Sequence, residues 1–307
     1  GFVAWNGYRR ERSDVVRDLV DGGQVPTGDS DTAVFRSAQS RFTFAGGGDD
    51  WAWSAGVDAR HETAVGERIG ASGSASLTRA AVFGSAEWRA TERLLVRPGV
   101  RFAYNSAFGA PVIPSVHAKW ASGPHAVRAS YASGFRAPDL KELHFQFVDF
   151  NHNIVGSPDL QPERSHSVQL GYTWRRVGPT SLWEANARVF YNDVRDMIDL
   201  ALVDADALAY AYVNAGRSQA AGATAKAARQ GEAWSLQAEL TGIRREWVVT
   251  AFSLQAAVSA DVQLPRRSVW SVQINHAHKE QQLTTAPDGT LTAAVLSPFT
   301  NVATYLS

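Results

Sequence analysis

The chain has 307 residues, with 30 basic side chains against 30 acidic ones; this balance argues against nucleic acid as the main partner, because phosphate binding leaves a basic excess. At 45% hydrophobic and 20% charged it is not a disordered polyelectrolyte, and no run of about 18 consecutive apolar residues encodes a transmembrane helix. The absence of cysteine excludes a disulfide scaffold, cysteine-ligated zinc, iron–sulfur ligation and a thiol nucleophile.

The chain opens Gly1-Phe2-Val3, without an initiator Met, a basic leader or a cleavage site, so the expectation is a removed signal or a piece of something longer. A polar, irregular stretch covers about 21–32. Gly46-Gly47-Gly48-Asp49-Asp50 reads as a turn between strands, since no helix follows it to cradle a phosphate. Trp51 and Trp53 share one strand face, where they could stack on sugars or sit in a membrane-interface girdle. A second long polar connection spans 62–74. Period-two alternation then begins near 79–89 and is plain from Arg93 to Asn105: Leu94, Val96, Val100, Phe102 and Tyr104 oppose Arg93, Arg97 and Arg101. It recurs at 116–120 and 127–131, on either side of the turn Ala121-Ser122-Gly123-Pro124. After the excursion 135–164 it returns at 166–175 and at 182–192, where Trp183, Ala185, Ala187, Val189 and Tyr191 oppose Glu184, Asn186, Arg188 and Asn192. Residues 223–230 are alanine-rich and could be misread as helix. Further alternation covers 234–242 and 269–275, followed by a long connection at 279–290.

The pattern predicts an all-β protein. Its alternating segments reach the roughly 9–11 residues of a tilted membrane strand, whereas sandwich strands are nearer 5–6. Short turns alternate with long loops, the apolar parity ends in aromatics, and charges occupy the opposite parity; together these favour a large antiparallel transmembrane β-barrel. Arginines on the lipid face near the midplane would each cost about 2–4 kcal/mol, so Arg93, Arg97, Arg101, Arg128 and Arg188 are expected to face the lumen. At about 20 residues per strand and connection the chain holds roughly 15 strands, and it starts and stops inside alternating sequence. The alternative is a soluble or surface β-sandwich that binds carbohydrate.

Residues 131–164, YASGFRAPDLKELHFQFVDFNHNIVGSPDLQPER, resemble the signature of TonB-dependent outer-membrane receptors. The matching residues are Phe135-Arg136-Ala137-Pro138, Leu140-Lys141-Glu142-Leu143, and Gly156 through Glu163. Tyr191 to Ile198, then Tyr212-Val213-Asn214-Ala215-Gly216, resemble the family's next hairpin, and Leu264-Pro265-Arg266-Arg267 a later turn. The resemblance covers about 60–280 and departs at Ala221-Gly222-Ala223-Thr224, where the family places Gly-Val-Glu. It implies a fragment of a 22-stranded barrel whose lumen an N-terminal plug fills. Nothing here resembles the plug or the box that TonB pulls, so residues 1–307 are expected to be a partial barrel domain. The implied function is uptake of a scarce ligand, a ferric siderophore first and cobalamin second, across the outer membrane of a Gram-negative cell. The TonB complex would supply energy through the plug region. Lipid is the implied surroundings; no cofactor is implied.

Within the excursion, Phe145, Phe147, Asp149, Phe150 and His152 are the candidate ligand contacts, because exposed aromatics with a few polar groups suit a flat, partly apolar ligand. Phe135, Arg136, Pro138, Glu142, Pro158, Pro162 and Glu163 are read as structural, with Arg136 and Glu142 holding the loop base by a charge-assisted hydrogen bond. The spacing of His144 and His152 matches no compact zinc pattern. His276, His278 and Glu280 share a strand face, which makes a two-His-one-carboxylate site geometrically thinkable. Asp199, Asp204 and Asp206 lack the glycine turn of a calcium loop. No hydrolase, metalloprotease or P-loop motif is present, so an enzyme is not expected.

Overall fold

The computed structural model describes residues 1–17, 24–148, 153–204, 207–247, 249–265, 268–278, 281–285, 291–295 and 297–307. Strands β1 (Phe2–Arg17), β2 (Gln24–Gly47), β3 (Trp51–Gly66), β4 (Ser74–Arg89), β5 (Leu94–Asn105), β6 (Val112–Ser122) and β7 (His125–Arg136) follow one another as hairpins. A five-residue helix α1 (Leu140–His144) and two short strands, β8 (Gln146–Val148) and β9 (Asn153–Val155), then interrupt the run. The hairpins resume with β10 (Glu163–Val177) and β11 (Ser181–Arg195), pause at β12 (Ile198–Asp204) and β13 (Ala209–Asn214), and resume again with β14 (Ser218–Gly231), β15 (Trp234–Glu246), β16 (Thr250–Gln263) and β17 (Val269–His278). Strands β18 (Gln281–Thr285) and β19 (Leu291–Val295) pair only with each other, and β20 (Phe299–Leu306) closes the order.

Fourteen of these strands form one antiparallel sheet in the order β1 to β7, β10, β11, β14 to β17, β20. It is an open, partial barrel wall with β1 and β20 at its edges. A sandwich would need a second sheet packed on the first, and no second large sheet exists among the described residues. One end of the wall has connections of a few residues, at 48–50, 90–93, 123–124, 178–180, 232–233 and 264–268. The other end carries the long ones, of which 137–162 and 196–217 are the most elaborate. The expected loop at 21–32 is a correction, since 24–32 belongs to β2, and the one at 62–74 shrinks to 67–73, because β3 pairs on to Ala33↔Gly66. Beyond the apolar belt the inner face at Ala64 and Leu77 packs under α1, and the backbone pairing continues after the hydrophobic alternation has ended.

Register sorts the side chains onto two faces. On one, Phe42↔Val57↔Val82↔Phe102↔Val112 form a continuous apolar row. Val82, Phe102 and Val112 are each more than half exposed. Leu170 and Val189 continue the belt. At its short-connection margin Trp51 faces Trp88 across the strands, and Trp120, Trp183, Trp234 and Trp270 continue the rim, all of them partly exposed. An apolar surface of this extent in water would be far larger than a soluble monomer tolerates; lipid is the solvent that suits it. The alanine-rich segment falls in β14, with Ala223, Ala225 and Ala227 in this parity and Thr224 and Lys226 in the other. Its position between β11 and β15 outweighs the helix propensity of alanine.

The opposite face is polar. Lys119↔Arg128↔Gly171↔Arg188 lie in register across four strands, and Arg97 is opposite His117. Asp58 accepts from Arg101 Nη1 at 2.7 Å and Nη2 at 2.9 Å and from Arg41 at 3.1 Å. Both guanidinium groups lie over the Phe83 ring, at 5.7 and 5.8 Å. A hollow of about 720 Å³ on this face is lined by Arg97, Lys119, Arg128, Arg188 and Lys226, with Glu87 and Glu239 as its acids.

Candidate functional site

The buried residues of the protein gather at the long-connection end, where the chain between β7 and β10 folds onto the polar face. Pro138 is fully buried and, with no N–H, cannot extend β7. Asp139 then caps α1: its Oδ1 accepts the Glu142 N–H at 2.8 Å, and Glu142 Oε2 accepts the Asp139 N–H at 2.9 Å. This reciprocal capping box makes so short a helix possible. Leu140 and Phe145 bury themselves with Ala64, Ile69 and Leu77, and Phe35 and Phe147 pack at the margin. Ala64 and Leu77 belong to the polar parity of β3 and β4, so α1 lies on the inner side of the wall. Leu143, Leu160 and Ile198 form a second cluster, flanked by Phe108 and Tyr212.

Arg136 ties these pieces together. Its Nη1 donates to both oxygens of Glu142 at 2.8 and 3.0 Å, while Nε and Nη2 donate to the two oxygens of Glu163 at 2.8 and 2.7 Å. Glu163 Oε1 also accepts the Ile198 N–H at 2.8 Å. One guanidinium thus joins the end of β7, α1, the start of β10 and the start of β12. The planar fork of arginine suits two bidentate carboxylates, which a lysine could not serve. Further bonds hold the excursion down: Gly70 N–H to His144 O, Gln146 N–H to Arg68 O, Gly156 N–H to Phe145 O and Ser157 N–H to Glu142 O, each 2.8 Å. Asn214 accepts from Gln161 N–H at 2.8 Å and donates to the carbonyls of Gln161 and Asp196 at 2.9 and 2.8 Å. Strands β12, β13, β9 and β8 form a separate four-stranded sheet above the wall.

Strand β10 has 15 residues, more than a membrane crossing of about 9–11 needs, so Glu163 at its outer end lies beyond the crossing. Burial alone would raise the Glu163 carboxyl, but the Arg136 hydrogen bond, the Ile198 N–H and the Arg136 charge together hold it below its ordinary 4.5. A carboxyl lowered on folding contributes stability that is fully present above 4.5 and is lost as pH falls through its lowered value. Hydrogen exchange should therefore show the Ile198 amide protected at neutral pH and released in acid before the mid-strand amides of β10. Simultaneous release of both sets would remove this role. In β13, burial first, then the charges of Asp139 and Glu142, raise the Tyr212 hydroxyl above its ordinary value.

Of the candidate ligand contacts, Phe145 is only 9% exposed and is committed to the core, bridging Ile69 through its backbone. Phe147 lies at the margin of that core, with the guanidinium of Arg10 5.0 Å and that of Arg68 5.7 Å from its ring centroid. Arg68 also pairs with Asp31. A neighbouring cavity of about 290 Å³ is lined by Asn6, Tyr8, Arg60, Glu62 and Lys141. Asp149, Phe150 and His152 lie outside the described residues, as do Asp206, Arg266, Arg267 and Glu280. His276 and His278 stand with ring centroids 6.4 Å apart, His276 bonded to Thr300 Oγ1 at 2.9 Å. Asp199 and Asp204 accept backbone N–H groups of Leu200 and Ala207. Among the described residues no group of histidines and acids converges as a metal site. Asp139, Arg10 and Arg68 are members of the site that the sequence reading did not single out, and Asn214 entered it only as part of the family-like hairpin. Only Asp139 carried a local signal there, the Asp-x-x-Glu spacing of a capping box.

No curated protein matches the chain in sequence. Solved structures do match in shape. The siderophore receptor PirA from Pseudomonas aeruginosa is 17% identical with a TM-score of 0.66, over 90% of this chain and 56% of that one. The FrpB iron transporter from Neisseria meningitidis (F3-3 variant) is 13% identical with a TM-score of 0.67, over 99% and 52%. A mutant of the ferric enterobactin receptor PfeA from Pseudomonas aeruginosa, in complex with enterobactin, is 14% identical with a TM-score of 0.69, over 97% and 50%. The chain thus spans about half the length of the receptors it matches. The family model "TonB dependent receptor-like, beta-barrel" matches residues 2–304. With that match across nearly its whole length and an open wall of fourteen strands, the chain belongs to the TonB-dependent receptor family, as part of its β-barrel.

Proposed function

We propose that the chain is the ligand-gathering part of a Gram-negative outer-membrane receptor that imports a ferric siderophore, with energy supplied through TonB. The observation that carries this reading is the Arg10–Phe147–Arg68 arrangement at the long-connection end, above an inner wall whose cation-lined hollow lies further down the same face. An anionic chelate with aromatic rings finds both charge and a stacking face there. The likeness to siderophore receptors, one of them holding enterobactin, supports the same ligand class. Phe147 is assigned a direct contact. Asp149, Phe150 and His152, which follow it in the chain, are proposed to complete the contact segment. Phe145 supports the segment from the core.

Fluorescence quenching of the purified full-length receptor by ferric catecholate, ferric hydroxamate and cobalamin tests the assignment. A ferric siderophore is expected to bind, and F147A together with R10Q and R68Q should weaken it about tenfold or more. Binding of cobalamin alone would move the receptor to the second ligand class. Siderophore binding unaffected by these substitutions would place the contact elsewhere.

A further inference from the structure

The apolar face carries two guanidinium groups at its short-connection margin that no carboxylate meets. Register runs Arg176↔Trp183↔Arg229, in the same parity as Leu170 on β10, Val189 on β11 and Ala227 on β14. The Arg229 guanidinium lies 4.3 Å from the ring centroid of Trp183 and 5.1 Å from that of Trp234. Trp234 reaches it by lying across Gly231: a Cβ there would come 2.5 Å from Trp234 Nε1 and 2.7 Å from Cε2. Gly231 does not adopt a positive φ, so what this glycine supplies is room for the ring. At the opposite margin of the same face, by contrast, Arg195 and Arg217 reach Asp193 and Arg244 reaches Glu246. Among the described residues neither Arg176 nor Arg229 has an acidic partner; Glu232, in the adjacent turn, makes no ion pair with either.

A cation on a lipid-facing surface is expensive near the midplane and tolerable only towards the interface. Stacking between indoles occupies the faces of the Arg229 guanidinium and leaves its N–H edge free to donate. The anions at this depth are the phosphates of the lipid headgroups. We propose that Arg176, Trp183, Arg229 and Trp234 form a binding site for the headgroup phosphate of an anionic phospholipid in the leaflet at the short-connection end. The site rests on the membrane-barrel reading and goes beyond it, since a girdle of tryptophan alone requires no unpaired arginine and no lipid selectivity.

The test is electron paramagnetic resonance of the full-length receptor reconstituted with spin-labelled phosphatidylglycerol or, separately, spin-labelled phosphatidylcholine. Wild type should immobilise phosphatidylglycerol in preference to phosphatidylcholine by about fivefold. R176Q/R229Q should abolish that preference, W183L/W234L should reduce it, and R128Q, which removes a charge from the polar face, should leave it unchanged. Loss of selectivity in R128Q to the same degree would show a general charge effect and overturn the site. Absence of selectivity in an inserted wild-type protein would overturn the site alone, whereas failure to insert would overturn the membrane reading as well. If R176Q/R229Q does not assemble, R176K/R229K keeps the charge while losing the stacked fork, and full selectivity in that variant would also sink the proposal.

Discussion

Replacing Arg136 by alanine is expected to free the excursion 137–162 from the barrel wall while leaving the wall itself assembled. The substitution strands two carboxylates that are largely buried, and among the described residues each retains one other donor: Glu142 the Asp139 N–H, Glu163 the Ile198 N–H. Breaking a fully buried pair costs roughly 3–5 kcal/mol. The Arg136 side chain is 44% exposed, so solvent screens part of that interaction and a loss of about 2–3 kcal/mol is the better expectation. The loss is local because this guanidinium joins α1 and the start of β12 to the ends of β7 and β10, whereas the wall strands hold one another by long ladders. Tryptic cleavage after the exposed Lys141, mapped by mass spectrometry, is the readout. Where opening is fast relative to cleavage the rate follows the open population, and it should rise about thirty- to a hundred-and-fiftyfold. R136K should lie between, since one ammonium cannot serve both carboxylates in bidentate fashion. An unchanged rate at Lys141 would mean the hydrophobic clusters alone hold the excursion down.

What was legible in the sequence follows from where water lies. Strands β5, β10 and β11 cross a boundary with one apolar and one polar face, which forces a period of two onto residues such as Leu94–Asn105 and Trp183–Tyr191. Strand β14 does not announce itself, because alanine satisfies the apolar parity without looking like a strand residue. Above the belt the apolar alternation stops, and the outer ends of β2 (24–32) and β3 (62–66) therefore read as loops. In the site, the pairing of Arg136 with Glu142 is within reach of sequence reading at a separation of six residues. Glu163 and the Ile198 amide, brought to the same guanidinium by the return of β10 and the start of β12, are not. The separation of Phe145 from Phe147 was also hidden. Phe145 enters the core, bridged at Ile69, while Phe147, stacked on it at 6.1 Å, stays at the core's margin. Arg10 over Phe147 is a contact across most of the first half of the chain, brought about by the consecutive pairing of β1 to β7 and the fold-back of β8.

Gly156→Ala is expected to be the most disruptive single methyl in the excursion. A Cβ at this position would stand 2.8 Å from His144 N and from Leu143 C and 3.0 Å from Leu143 O. All three are backbone atoms at the C-terminal end of α1, so no side chain can swing aside. The capping box fixes the other end of the helix, and Leu140 and Leu143 are anchored in separate clusters. Relief must come from moving Gly156 away, which breaks its N–H bond to Phe145 O and the neighbouring Ser157 N–H bond to Glu142 O. Overpacking of this kind costs about 1–3 kcal/mol and more where the backbone must shift, and the two lost hydrogen bonds add about 1 kcal/mol each. Gly216 provides the contrast. It has φ +82 and no atom within 4 Å of a Cβ, so alanine there incurs conformational strain of about 1 kcal/mol without a clash. Hydrogen exchange at Gly156 or its substitute and at Ser157 should accelerate by two orders of magnitude or more in G156A, while G216A leaves both amides protected. The distinction bears on the proposed ligand contact, because β8, with Phe147 at its centre, pairs with β9, which runs into Gly156. If G156A retains protection, α1 can slide on the inner wall, and the Arg136 clasp rather than backbone contact sets the position of Phe147.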